Sequence, residues 1–189
     1  MRGAAERHWD FFRLLEKDLI TISESIELAE DNYNTYGPRL VQLILSTGSE
    51  LEAALRDFAV AFRPKHRAAM RKRVLMTDYK ALLVDHAKEE FSSARVRFLH
   101  TSIELRPWSA LENGRYCSLD WWNGYNSVKH ERNECYERAN LRTALGLIAA
   151  LFVVNIYLDE VLEAANWRGW TLVSLTEYKP LNPAEDDVD

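Results

Sequence analysis

Residues 144–158 read ALGLIAALFVVNIYL, and the way this run is taken decides the fold. Plotted as a helix it is apolar on nearly all sides, so it belongs either in a bilayer or in the middle of a protein. A spanning helix needs about 20 predominantly apolar residues. This run has fifteen, and Asn155 stands among them. It is read as a central core helix, within a last long helix from Tyr136 to Ala165, and other elements have to surround it.

The surrounding elements are also helical in period. From Glu6 to Ala29 the residues Trp9, Phe12, Leu15, Leu19, Ile22 and Ile26 recur at spacings of three and four, as on one side of a helix. DNYNTYGPR at 31–39 breaks the pattern with turn formers, and Pro38 suits the first turn of the next helix. That helix, Pro38 to Phe62, gathers Val41, Ile44, Leu51, Leu55, Phe58 and Phe62 on one side. Arg39, Ser46, Glu50 and Asp57 fall opposite, which reads as a solvated face.

RPKHRAAMRKR at 63–73 carries six Lys or Arg residues. Arg67 and Arg71, one turn apart on a short helix, suit either a solvated connector or contacts to RNA phosphates or an acidic partner. A fourth helix is predicted from Asp78 to Arg97, with Thr77 at its N-cap. Residues 98–120 form a long connection with an extended piece at Ser102–Leu105 and with Trp108 packed on the bundle. Asp120 is predicted to cap a motif helix running to Glu134. A short strand is predicted at Thr171–Leu175, followed by the acidic tail AEDDVD at 184–189.

The pattern defines an all-α class: an antiparallel bundle of about five helices with an irregular segment between the fourth helix and the motif helix. Residues 1–170 form the bundle and 171–189 a C-terminal extension. Composition agrees, since 47% apolar and 28% charged residues describe a globular chain, and 7 Gly with 5 Pro is low for a sheet-rich fold. The formal charge is −5, four of the acids lie in the tail, and a whole-chain basic field is absent. Cys117 and Cys135 lack metal-ligand spacing and read as thiols in a reducing compartment. The N-terminus lacks the apolar stretch of a signal peptide. A cytoplasmic protein without a membrane segment, metal or cofactor is expected.

Within the motif helix, WWNGYNSVKHERNE at 121–134, the residues Asn123, Asn126, His130 and Asn133 follow a spacing of three, four and three and share one stripe. Trp121, Tyr125 and Val128 fall opposite, toward a core. Gly124 lets another helix approach closely. Amides that donate and accept, beside an imidazole that can do both, suit the orientation of a ligand or of a second subunit. No phosphate-cradling glycine loop, paired zinc-type ligands or serine or cysteine nucleophile arrangement competes with this motif.

The order of helices, with an N-x-x-x-H element from Asn126 to His130 opening the last part of a helical chain, resembles the HEPN superfamily (higher eukaryotes and prokaryotes nucleotide-binding domain). The resemblance extends over most of the chain, and its motif is short. Many members are metal-independent ribonucleases of bacterial toxin and antiviral systems, marked by an arginine, four to six residues and then a histidine, frequently with Asn directly after the arginine. His130 matches that histidine and Asn126 the polar residue after the arginine; the arginine position is Tyr125.

The resemblance implies that His130 acts as general base or acid, that Asn126 orients the imidazole or phosphate, and that Arg132 or Lys129 stabilises developing charge. Asn123, Asn133, Arg67 and Arg71 would contact substrate. It also implies a homodimer with a composite site. Two functions follow: a HEPN-like ribonuclease acting on single-stranded RNA, or a non-catalytic HEPN-like module that dimerises or docks a partner such as an effector or antitoxin.

Overall fold

A computed structural model describes residues 3–163 and 172–181. Seven α-helices lie among them: α1 (Ala4–Ser23), α2 (Pro38–Phe62), α3 (Arg67–Met70), α4 (Met76–His86), α5 (Lys88–Ser93), α6 (Asp120–His130) and α7 (Leu141–Val161). Three strands, β1 (Arg95–Phe98), β2 (Glu104–Leu105) and β3 (Val173–Glu177), form one antiparallel sheet in the order β2-β1-β3. The chain is therefore mostly helical with a small sheet, rather than all-α.

The 144–158 run is the centre of the molecule. Every residue of α7 from Leu141 to Asp159 except Arg142 is buried, among α1, α2 and α6. The helix is long and apolar enough to cross a membrane, yet its neighbours are protein. Asn140 caps it by accepting from the Thr143 N–H at 2.9 Å, so it begins five residues later than expected, after a 3-10 turn at Tyr136–Arg138. It ends at Val161, short of the expected Ala165.

Helix directions follow from three contacts. A backbone bridge between Tyr36 and Asn140 ties the starts of α2 and α7 together. Near their other ends, Phe58 of α2 and Tyr157 of α7 both meet the Phe91 ring. Trp9, early in α1, donates to Asp159, late in α7, at 2.7 Å. Thus α2 and α7 run the same way and α1 runs against them, so the expected antiparallel arrangement holds for only part of the bundle. Hydrophobic period fixes which face is buried and carries no direction.

The helix expected from Asp78 to Arg97 is divided. Ala87, at φ −151° and ψ 33°, separates α4 from α5, and the chain then turns into β1. Val96 and Phe98 of β1 are fully buried while Arg97 is exposed, the period of a strand with one wet face. Glu104 accepts from Arg97 at 3.0 Å on that wet face, and Arg95 donates to Glu177. Of the expected extended piece at 102–105, Glu104 and Leu105 form β2. The predicted strand at Thr171–Leu175 appears as β3, shifted toward the C-terminus, with Thr171 outside the described residues. Val173–Glu177 of the expected C-terminal extension joins the sheet, and Val173 is buried in the core; the acidic tail lies outside the described residues.

Glu50 is not on a solvated face, and Asp57, although partly exposed, is held by the same partner. His8 of α1, 7% exposed, bonds Glu50 through Nδ1 at 2.5 Å and Asp57 through Nε2 at 3.0 Å. Helical angle placed these acids opposite the core of α2, but α1 covers that flank.

Candidate functional site

Helix α6 is set deep between α2 and α7 by small residues. The Tyr125 ring lies directly on Gly48 of α2, where an added Cβ would overlap it. A Cβ on Gly124 would come within 2.6 Å of the Thr143 hydroxyl of α7, so this glycine serves close helix packing. Trp121 donates to the Pro107 carbonyl at 2.7 Å and stacks edge-on against Trp108, at a centroid distance of 4.9 Å. Trp121, Tyr125 and Val128 are all buried, as the angular sorting requires.

On the other side of α6, Asn123 and His130 are exposed and Asn126 is half-buried. Asn123 donates to Ser118 Oγ at 2.8 Å, which ties it back to the preceding turn. The helix ends at His130, because Glu131 leaves helical geometry at φ −132° and ψ 33°. Asn133 consequently sits in the turn beyond the helix, and the four-residue stripe shortens to Asn123, Asn126 and His130.

Sequence reasoning missed Glu52. Its Oε1 accepts from the Tyr125 hydroxyl at 2.9 Å and from Lys129 Nζ at 3.0 Å. The Lys129 ammonium also lies 5.0 Å from the Tyr125 ring centroid. Burial pushes the Tyr125 phenol up, with Glu52 adding to the rise and Lys129 opposing it. Hydrogen bonding within this group, to Tyr125 first and Glu52 next, raises Lys129 against the cost of its own burial. Tyr79 of α4 is also held high by burial, with Arg56 lowering and Glu52 raising it. The available signal was the i, i+4 series Gly48, Glu52, Arg56 along α2, which runs from a buried glycine to two half-buried charges at the border of the core.

Arg67 and Arg71 do not present a row for successive phosphates. Both close on Asp78, at 3.2 Å each, and the Asp78 carboxylate also accepts from the Leu75 N–H at 3.2 Å, capping α4. Leu75 is accordingly the N-cap, in place of Thr77. Arg132 is exposed in the turn after α6 and has no carboxylate partner among the described residues. It lines a groove with Pro38, Val41, Gln42 and Leu45 of α2 and with Tyr136. Cys117 and Cys135 are both free thiols.

Asn126, Lys129 and His130 thus stand on the last turns of α6 and Arg132 in the turn after it, with Glu52 of α2 holding Lys129 on the Tyr125 side. The arrangement supplies an accessible imidazole, an amide one turn before it, one cation held by a carboxylate and one without such a partner. No family model, no curated protein and no solved structure matches this chain.

Proposed function

We propose that the chain is a divergent bacterial HEPN-like ribonuclease that cuts single-stranded RNA at a site completed by a second copy, as an effector of a toxin or antiviral defence system. The observation that carries this reading is the pairing of half-buried Asn126 with exposed His130 one turn on, at the end of a helix rigidly seated by Gly48 and Gly124. His130 takes the proton from a ribose 2′-hydroxyl, whose oxygen attacks the adjacent phosphate. The bond to the 5′-oxygen breaks, and that oxygen takes a proton from an imidazolium, leaving a 2′,3′-cyclic phosphate and a 5′-hydroxyl. Arg132 stabilises the charge gathering on phosphate, and Asn126 orients the imidazole or a phosphate oxygen. The resemblance to HEPN proteins implies that this chemistry needs no metal.

The test is cleavage of single-stranded RNA by purified protein with and without chelator, the wild type beside His130→Ala. Cleavage that survives chelation, ends in a cyclic phosphate and is lost in the variant is expected. Unchanged cleavage by the variant removes His130 from the reaction.

One observation favours a second reading, a non-catalytic module that pairs with itself or with a partner protein such as an effector or antitoxin. Tyr125, at the place of the superfamily's arginine, is buried and bonded to Glu52, so no guanidinium stands there. On this reading the wild type leaves RNA intact, and substitutions at Asn126 or His130 change the mass of the assembly.

A further inference from the structure

The groove beside Arg132 has a chemistry of its own. Val41 and Leu45 give it aliphatic surface, Tyr136 an aromatic one, Gln42 an amide, and none of its lining residues is acidic. Its volume of about 480 Å³ lies in the range of small-ligand sites. Tyr136 is steadied by an edge-on contact with Tyr36, at a centroid distance of 5.8 Å and an interplanar angle of 89°. Tyr36 is fixed in turn through its backbone bridge to Asn140. The aromatic surface is therefore presented by a braced pair rather than by a free side chain.

We infer that this groove seats the nucleobase adjacent to the scissile phosphate of a bound single-stranded RNA; this rests on the cleavage reading above. An aromatic ring stacks any base without regard to sequence, a side-chain amide bonds a base edge, and a guanidinium takes phosphate oxygens with two parallel donors. All three groups border one groove. Arg132 is two residues beyond His130, so their Cα atoms lie within roughly 7 Å of each other. The backbone that carries the imidazole is thus next to the backbone that carries Arg132, and on this inference a phosphate held by Arg132 places its base in the groove. A protein segment would use the aliphatic surface equally well, but an uncompensated guanidinium with no acidic neighbour in the groove favours an anionic occupant.

The probe is a fluorescein-labelled RNA octamer and an octamer of the same length carrying abasic riboses, bound to the full chain in a His130→Ala background and followed by anisotropy. The octamer with bases is expected to bind about tenfold more tightly. Tyr136→Ala should reduce it to the abasic level, and Tyr136→Phe, which keeps the ring, should not. Equal affinity for the two RNAs overturns the subsite, and if His130-dependent cleavage persists in the parent protein the cleavage reading stands without it. Base-dependent binding that needs Tyr136, in a protein that cuts nothing, removes the cleavage reading and keeps the subsite. A Tyr136→Ala variant with changed assembly mass and unchanged RNA affinity overturns the subsite and makes the groove a contact between copies.

Discussion

The His8 clamp between α1 and α2 makes stability depend on pH in a direction that the geometry fixes. Both ring nitrogens face carboxylates, Glu50 at 2.5 Å and Asp57 at 3.0 Å. A neutral imidazole has one N–H, so only the imidazolium can donate to both. Burial of the ring opposes the charge, but the hydrogen bonds and negative charge of Glu50 and Asp57 outweigh it, and the pKa of His8 is raised above 6.5. A raised folded-state value means that the stabilisation is fully present below pH 6.5 and is lost as pH climbs through the folded-state pKa. His66 works in the opposite sense: burial first, then the nearby positive charges of His86 and Arg67, lower its pKa. Its contribution therefore grows as pH rises toward 6.5 and is level above it, which leaves the window above neutrality to His8.

Glu50→Gln keeps the shape and an acceptor while removing the charge. A hydrogen bond to a charged group contributes about 1.5–3 kcal/mol. The Glu50 end, with a side chain 14% exposed, earns most of that, whereas the Asp57 end is 44% exposed and is screened by solvent. The variant should lose about 2 kcal/mol at pH 6, a fall in Tm of roughly 4–8 °C for a chain of this size. As pH climbs through the folded-state pKa of His8 the difference should shrink, because the wild type then loses the same interaction. Thermal denaturation of both proteins over a pH series from 6 upward, with the His8 ring proton followed by NMR, checks this. A difference that stays constant as the wild-type ring loses its proton would refute a charged His8.

Three further outcomes follow from packing and charge. Gly48→Ala gains about 1 kcal/mol in helix propensity but drives a methyl into the Tyr125 ring. Overpacking costs about 1–3 kcal/mol, so calorimetry should show net destabilisation; a raised Tm would mean that α6 has room to move. Asp78→Asn leaves Arg67 and Arg71 facing an amide and weakens the cap of α4, for a loss of about 2 kcal/mol by urea denaturation. His130→Ala, at an exposed helix end, should stay within about 0.5 kcal/mol of wild type. Any lost cleavage in that variant is then chemical rather than structural.

Much of the helical frame was legible in the sequence because period and punctuation agreed. Helix α2 has the predicted bounds, with Gly37-Pro38 before it and Pro64 after it. The 144–158 run was read as a core helix from its length and Asn155, and it is one. What failed to show depended on distant parts of the chain. Four residues, RVRF, alternate too briefly to outweigh the helical pattern before them, and only pairing with β2 and β3 makes them a strand. Glu50 looked solvated because angle on one helix says nothing of a second helix laid over its polar flank. Arg67 and Arg71 looked free because their partner, Asp78, closes the next turn of chain. Asn133 fitted the stripe only while α6 was extended three residues beyond its end, and no glycine or proline marked that end.

Tyr125, which the proposed HEPN-like reading sets at the place of the arginine, also bears on which cation can act. Tyr125 fills the place against Gly48 that a flat ring can occupy, and its hydroxyl claims Glu52. The same carboxylate claims Lys129, so that ammonium approaches the stripe already neutralised in part. Arg132 has no such partner among the described residues and borders the groove. If RNA is cut here, the charge that stabilises the phosphate must come chiefly from Arg132, and Arg132→Ala should lower single-turnover cleavage on the order of 10²-fold, as loss of one preorganised donor does elsewhere. Lys129→Ala leaves Glu52 as an anion without its ammonium partner near the end of α6, so its smaller loss should be recovered in Glu52→Gln/Lys129→Ala. Arg132→Ala should not be rescued by that change. Equal losses from both cations, or a rescue common to both, would mean that Glu52 and Lys129 belong to the reacting centre rather than to its support.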